Sequence, residues 1–204
     1  MDEKRTKSGE KERLDLRVHP VTSDRWTDLE RLFGPHGACG GCWCMWWRLS
    51  ASEFNQKKGE ENRKAMKKIV ESGGVPGLLA YANGEPVGWC ALAPREAYPR
   101  LERSRVLKRV DDEPVWSVVC FFVAEAYRRQ GVMIRLLKAA VEYVRERGGA
   151  IVEGYPVEPK KDPTPPLFVY HGVPSAFHAA GFEEVACRKA GRPIMRYRIS
   201  SEAR

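Results

Sequence analysis

The amino-acid sequence predicts an α/β fold built on a mixed sheet. Three observations carry that prediction. Val115 to Val123 is nearly all apolar, the pattern of a strand buried on both faces. A glycine-containing turn follows at once, and from Gly131 apolar residues recur at helical spacing: Met133, Leu136, Leu137, Ala140 and Val144 share one side, and Arg135, Lys138, Glu142 and Arg145 the other. Turn signals flank this strand–helix unit, at Asn83-Gly84 and at Gly191-Arg192-Pro193, and each predicts a hairpin.

The remaining elements follow in chain order. Leu14, Leu16 and Val18 alternate as in a half-buried strand. Thr22-Ser23-Asp24 can cap a helix that puts Trp26, Leu29 and Phe33 on one face, and Gly34-Pro35 stops it. A loop runs from His36 to Trp47. Ser50-Ala51-Ser52-Glu53 has the capping-box pattern and opens a second helix, which buries Ala65, Met66, Ile69 and Val70 before Gly73-Gly74. Leu78–Ala82 and Val87–Leu92 form the first hairpin. The charged stretch from Pro94 to Glu113 reads as an irregular excursion, because Pro99 argues against one helix. Gly148-Gly149 ends the helix from Gly131, and Ala150 to Val157 reads as a strand. The segment from Glu158 to Pro174 holds five prolines, Pro174 included, and makes a loop, stiff at Pro165-Pro166. Phe182–Arg188 and Ile194–Ile199 form the last hairpin.

The chain has 204 residues, enough for one domain with a substantial core. Residues 1–13 are charged, lack an apolar stretch and read as a disordered tail, leaving 14–204 as a single domain. No apolar run reaches the ~18 residues of a membrane span, so a cytoplasmic protein without a membrane partner is expected. Its six cysteines are then expected as thiols. The net charge of +8 is spread along the chain without an aromatic-interleaved basic patch. A solvated surface plus a local anion site accounts for it, and no nucleic-acid partner is expected.

The turn between the central strand and its helix holds the strongest chemical signal. A helix start has unpaired N–H groups and partial positive charge, so an anion such as a pyrophosphate can settle there. Gly131 allows close approach, and Arg128 and Arg129 add full charges. Two arginines at a helix start could also be a solvated pair, but that placement is unfavourable without an anion. The sequence Arg128-Arg129-Gln130-Gly131-Val132-Met133 resembles motif A of the GCN5-related N-acetyltransferases, the GNAT superfamily; Met133 stands where Gly or Ala is usual. Ser175 to Phe182, ending in Gly181-Phe182, resembles the late signature of that superfamily.

The resemblance implies a central, mostly antiparallel twisted sheet of six to seven strands with helices on both faces. It implies acetyl-CoA as co-substrate, with no metal, and an amine acceptor on a small molecule or peptide. A homodimer is compatible with it. Carried over by position, Arg128, Arg129, Gln130, Gly131, Val132 and Met133 would hold the pyrophosphate. The backbones of Phe122 and Val123 would pair with the pantetheine, and Ser175 joins the cofactor set. The amine would attack the thioester directly. Two expected groups are missing. Phe177 replaces the usual acid tyrosine, and Ser117 and Val118 stand where many members carry a carboxylate. Tyr170 and His171 lie just upstream as substitutes for the acid, although Tyr170 also reads as a packing residue. Glu153 reads either as a replacement base or as a surface carboxylate at a strand end.

The loop with Cys39, Cys42, Trp43, Cys44, Met45, Trp46 and Trp47 invites a zinc reading, yet it lacks a second CxxC pair and Cys42 and Cys44 stand only two apart. The resemblance places this loop beside the acceptor, with Trp43, Trp46 and Cys44 as candidate contacts and other aromatics packed beneath. The leading expectation is an acetyl-CoA-dependent N-acetyltransferase. The alternatives are a catalytically silent acyl-CoA-binding module and a metal- or redox-responsive protein built on Cys39, Cys42 and Cys44.

Overall fold

The apolar run becomes the middle of a seven-stranded sheet in the computed structural model, which describes residues 14–159 and 170–200. The strands are β1 (Leu16–Pro20), β2 (Gly77–Ala82), β3 (Glu85–Pro94), β4 (Trp116–Val123), β5 (Ile151–Gly154), β6 (Glu183–Ala186) and β7 (Ile194–Arg198). They lie in the order β1-β2-β3-β4-β5-β7-β6, antiparallel throughout except between β4 and β5. The β2–β3 turn is the expected one. Asn83 and Gly84 both have positive φ, 52° and 82°, as the tightest hairpin turns demand.

Helices cover both faces. On one lie α1 (Trp26–Phe33), α2 (Ala51–Gln56), α3 (Glu60–Glu71) and the loop after α1, around a core of Trp26, Phe33, Trp43, Trp89 and Val119. On the other lie α5 (Val132–Arg145) and α6 (Pro174–Ala179), over Val118, Phe121, Leu137 and Phe177. Between β3 and β4 the charged excursion carries one short helix, α4 (Pro99–Glu102), with the proline in its first turn, where a missing N–H is harmless.

Two expectations are corrected. The helix opened by Ser50 is two helices. Its capping box is present, but the chain breaks at Gly59, whose φ is +82°. The cause is long-range: Gly59 N–H donates to Gly41 C=O at 3.0 Å, and a Cβ on Gly41 would stand 2.5 Å from the Gly59 nitrogen. The backbones meet there because Gly41 has no side chain, while Gly59 is needed for its positive φ rather than for space. The strand at 150–157 is shorter than its apolar run, because β5 stops at Gly154. The expected tail 1–13 and the stiff Pro165-Pro166 centre lie outside the described residues. Among the described residues no helix is long and apolar enough to cross a membrane.

Candidate active site

The site begins where β4 and β5 part. Their ladder holds three pairs, Trp116↔Val152, Ser117↔Glu153 and Val118↔Gly154, and then ends. At that level β4 bulges: Leu92 pairs with Val118 and Ala91 with Cys120, which leaves Val119 as the extra residue. Beyond the bulge β4 follows β3 alone. Hydrogen-bonded residues alternate along an antiparallel ladder. Ala124 N–H donates to Val87 C=O, so in this register the main-chain groups of Phe122 face β3, opposite Trp89. Those of Phe121 and Val123 face the gap. The expectation for the Phe122 backbone is therefore corrected, because its main-chain groups are turned to β3, and the gap side belongs to Phe121 and Val123. The Phe122 ring meets Phe33 on the α1 face.

The gap is bridged by the chain itself. Phe121 N–H donates to Tyr170 C=O at 2.6 Å, and Val157 N–H to Gly172 C=O at 3.0 Å. Tyr170 to Gly172 thus lies between the diverging strands.

At the far end of the gap stands the start of α5. Gly131 is left-handed (φ 81°, ψ 2°), and nothing lies within 4 Å of where its Cβ would be. The first turn of α5 has no acidic residue and no side-chain cap. Arg129 is exposed in a left-handed conformation, φ 60°, beside it. Arg128 is drawn back, its Nε donating to Val123 C=O at 3.1 Å, and Gln130 Nε2 donates to Ala126 C=O at 2.6 Å. Val132 is buried against the sheet, so only its amide is available there. Met133 is half-buried with its sulfur beside Gly172 and does not cover Gly131. Ser175 is exposed in the first turn of α6. The corner fits an anionic group: open space, unpaired amides and one free guanidinium.

Glu153 is not the surface carboxylate that one expectation allowed. It is 1% exposed. Its Oε1 accepts from Arg95 Nη1 at 2.9 Å and Tyr155 Oη at 2.7 Å, and its Oε2 from Arg196 Nε at 2.7 Å. Tyr155 Oη also meets Ser117 Oγ at 2.8 Å. Ser117, Glu153 and Arg196 form one row across β4, β5 and β7. Arg95 ties the row to Glu102 at 2.7 Å and to Leu107 C=O at 2.7 Å, and Arg196 reaches Asp111 at 2.6 Å. Two guanidinium groups and a phenol thus occupy both oxygens of this carboxylate.

Tyr170 and His171 face the α1 side of the gap. Burial pushes the Tyr170 hydroxyl up to about 12, with Cys120 adding to the effect. It is a protonated phenol at neutral pH. His171 is 4% exposed, and burial, reinforced by the charge of Arg192, lowers it to about 3. Its ring sits 4.0 Å from that of Tyr170 and 5.4 Å from that of Trp47, and its Nδ1 has no partner. Phe177, at the usual acid position, is fully buried against Phe121 and Phe182 on the other face.

The aromatic loop divides. Trp43 is core, stacked on Trp26 at 6.1 Å and against Phe33 at 5.6 Å. Cys44 is buried too: Trp89 Nε1 donates to its sulfur at 3.0 Å, and its thiol meets Cys120 Sγ at 3.5 Å. Both expectations of acceptor contact are corrected, because this packing turns the side chains to the sheet. Consecutive left-handed residues, Trp43 at φ 45° and Cys44 at φ 53°, make that turn. Trp46 is half-buried and, with Trp47, lines an open cleft of about 310 Å³ together with Ser50, Ala51, Arg100 and Arg103. The thiols do not converge; Cys39 is exposed and Cys42 half-buried. Among the described residues no three His, Cys, Asp or Glu side chains are grouped to hold a metal ion.

Sequence reasoning missed Arg95, Tyr155, Arg196, Arg48, Arg100 and Arg103. Their partners are distant in the chain, and the one available signal was the density of arginine in the excursion before β4.

Residues 43–158 match the model of the acetyltransferase (GNAT) family. A search of curated protein sequences finds no match. Among solved structures the fold is similar to PaiA N-acetyltransferase from Thermoplasma acidophilum in complex with coenzyme A (12% identity, 91% of this chain and 100% of that one, TM-score 0.52). It is similar to YncA from Salmonella typhimurium with its cofactor acetyl-CoA (12%, 93% and 96%, 0.52). An acetyltransferase of the GNAT family from Listeria monocytogenes also resembles it (10%, 90% and 95%, 0.55).

Proposed function

Because the chain belongs to the acetyltransferase (GNAT) family, we propose that it moves an acetyl group from acetyl-CoA to a primary amine of a small molecule or peptide, by direct attack. The observation that carries this reading is the gap opened where β4 and β5 part after three pairs, with the open Gly131 corner at its end.

Acetyl-CoA supplies an acyl group activated as a thioester. The amides of Gly131, Val132 and Met133, with Arg129, hold its pyrophosphate. Phe121 and Val123 offer main-chain groups to the pantetheine; the Tyr170 carbonyl yields the Phe121 N–H for this. Amides at the Val119 bulge donate toward negative charge on the carbonyl oxygen. The amine attacks as free base: the C–N bond forms, the C–S bond breaks, the amine proton leaves to water, and the sulfur takes a proton from Tyr170, which solvent restores. Glu153 is given no proton-transfer part, because two arginines hold it.

The test is thiol release from acetyl-CoA across a panel of amines, with the acetylated product confirmed by mass. Tyr170→Phe is expected to lower kcat about 100-fold with CoA affinity retained; unchanged kcat would remove Tyr170 from the reaction. Acetyl-CoA binding without turnover on any amine would favour the silent acyl-CoA-binding module, the reading to which Phe177 and Met133 point.

A further inference from the structure

Six buried side-chain nitrogen and oxygen atoms lack a hydrogen-bond partner among the described residues, and four of them gather in one region: Trp47 Nε1, Arg48 Nε, Arg100 Nη2 and His171 Nδ1. A buried donor left unpaired costs about 1–3 kcal/mol, more when charged, so such a concentration points to a missing partner.

The arginines there, half-buried at Arg48 and Arg100 and exposed at Arg103, differ from the buried Arg95 and Arg196. Arg48, Arg100 and Arg103 form no ion pair with any described residue. Arg100 lies 3.7 Å over the ring of Trp46, and its Nε donates to Leu49 C=O at 2.7 Å, leaving Nη2 unpaired. Arg48 lies over Tyr98 and reaches that hydroxyl at 3.4 Å. Arg103 stands beside Arg100 at the cleft wall. Burial disfavours the Arg100 cation most; Tyr170 opposes that, and the Arg103 charge adds to it. Glu53 serves the α2 capping box and acts on Arg103 only through space.

The cleft walled by Trp46, Trp47, Arg100 and Arg103 has a volume of about 310 Å³, the lower end of ligand pockets, which suits a small molecule. It lies on the α1–α3 side of the sheet, whereas α5 packs on the other, so the cofactor's phosphates do not account for it. Trp47 connects it to His171, and His171 to Tyr170 at the gap.

We infer that the amine acceptor also carries a carboxylate: a small amino-acid-like molecule whose carboxylate is taken by Arg100 and Arg103, whose apolar body lies on Trp46 and Trp47, and whose amine points to the gap beside Tyr170. A guanidinium fork matches a carboxylate, and the indole faces suit an aromatic or branched side chain. The inference rests on the acyl-transfer reading above and adds the acceptor's class.

The experiment compares phenylalanine with phenethylamine, and leucine with isoamylamine, as pairs differing only in the carboxylate. Binding to the CoA-saturated protein is measured by calorimetry and acetylation by thiol release. The acid of each pair is expected to bind at least about 10-fold tighter, the worth of one charged hydrogen bond. In Arg100→Gln and in the exposed-site variant Arg103→Gln, the ratio between pair members should fall toward one. Arg103→Gln keeps the test valid if Arg100→Gln fails to fold. Equal binding of both members, or a ratio unmoved in Arg103→Gln, overturns the inference while leaving amine acetylation intact. Arginine-dependent binding of the acid without turnover on any amine would sustain the inference and sink the transferase reading instead.

Discussion

Two groups of arginines lie on the same side of the sheet and are built in opposite ways. Arg95 and Arg196 meet Glu153, Glu102 and Asp111 with nearly every donor used. Arg48 and Arg100 lie over aromatic rings, Arg103 is exposed beside them, and none of the three has an ion-pair partner among the described residues. Isolated charge is expensive inside a protein, so the first group explains itself by its partners and the second does not. The lesson is that burial of arginine does not mark function; a guanidinium nitrogen shut off from water with no partner, as at Arg48 Nε and Arg100 Nη2, does.

The strongest way to break this contrast is to unpair the paired group. Glu153→Gln leaves two guanidinium groups facing a neutral amide. Removing one partner of a buried ion pair costs about 3–5 kcal/mol; the lower end is expected, because Glu102 and Asp111 still face Arg95 and Arg196. Chemical denaturation reads this directly. A variant of wild-type stability with reduced kcat would return Glu153 to the role of base.

The start of α5 is a second unpartnered place, and Gly131→Val tests it. A β-branched residue at φ +81° is strained, and its bulk enters the open corner. CoA affinity is expected to fall about 10–100-fold, or roughly 1.4–2.7 kcal/mol, by calorimetry. Normal acetyl-CoA binding in a folded variant would discard the anion site.

An effect confined to acid pH, and absent at neutral pH, concerns His171. Its folded pKa near 3 lies below the unfolded value of 6.5, so the unfolded chain binds the extra proton between those limits. The stability conferred by the neutral ring is complete above pH 6.5 and is lost as the pH falls toward 3, at up to about 1.4 kcal/mol per pH unit. His171→Gln should flatten the acid limb of the stability profile in that window. Parallel limbs for the two proteins would mean the ring is free to protonate.

Local chemistry was legible. Asn83-Gly84 wrote its own turn, the capping box at Ser50–Glu53 formed, and the arginine–glycine turn announced the α5 corner. Features decided at a distance were not. Gly59 breaks a helix because Gly41 comes to it from an earlier loop. Glu153 looks solvated in sequence because Arg95 stands 58 residues before it and Arg196 stands 43 after it. Trp43 and Trp46 read alike, and only the left-handed backbone at Trp43 and Cys44 sends one inward and leaves the other at the cleft. The choice of Phe122 over Phe121 failed for a comparable reason, since alternation depends on the register set by β3.

The row Ser117–Glu153–Arg196 sits at the last rungs before the two strands diverge. It acts as a rivet at the crotch of a fork, fastened by side chains during folding. The spread of the prongs is therefore preorganised, and an arriving ligand need not order the sheet to enter. Loosening the rivet would convert a fixed slot into one that each ligand has to shape for itself.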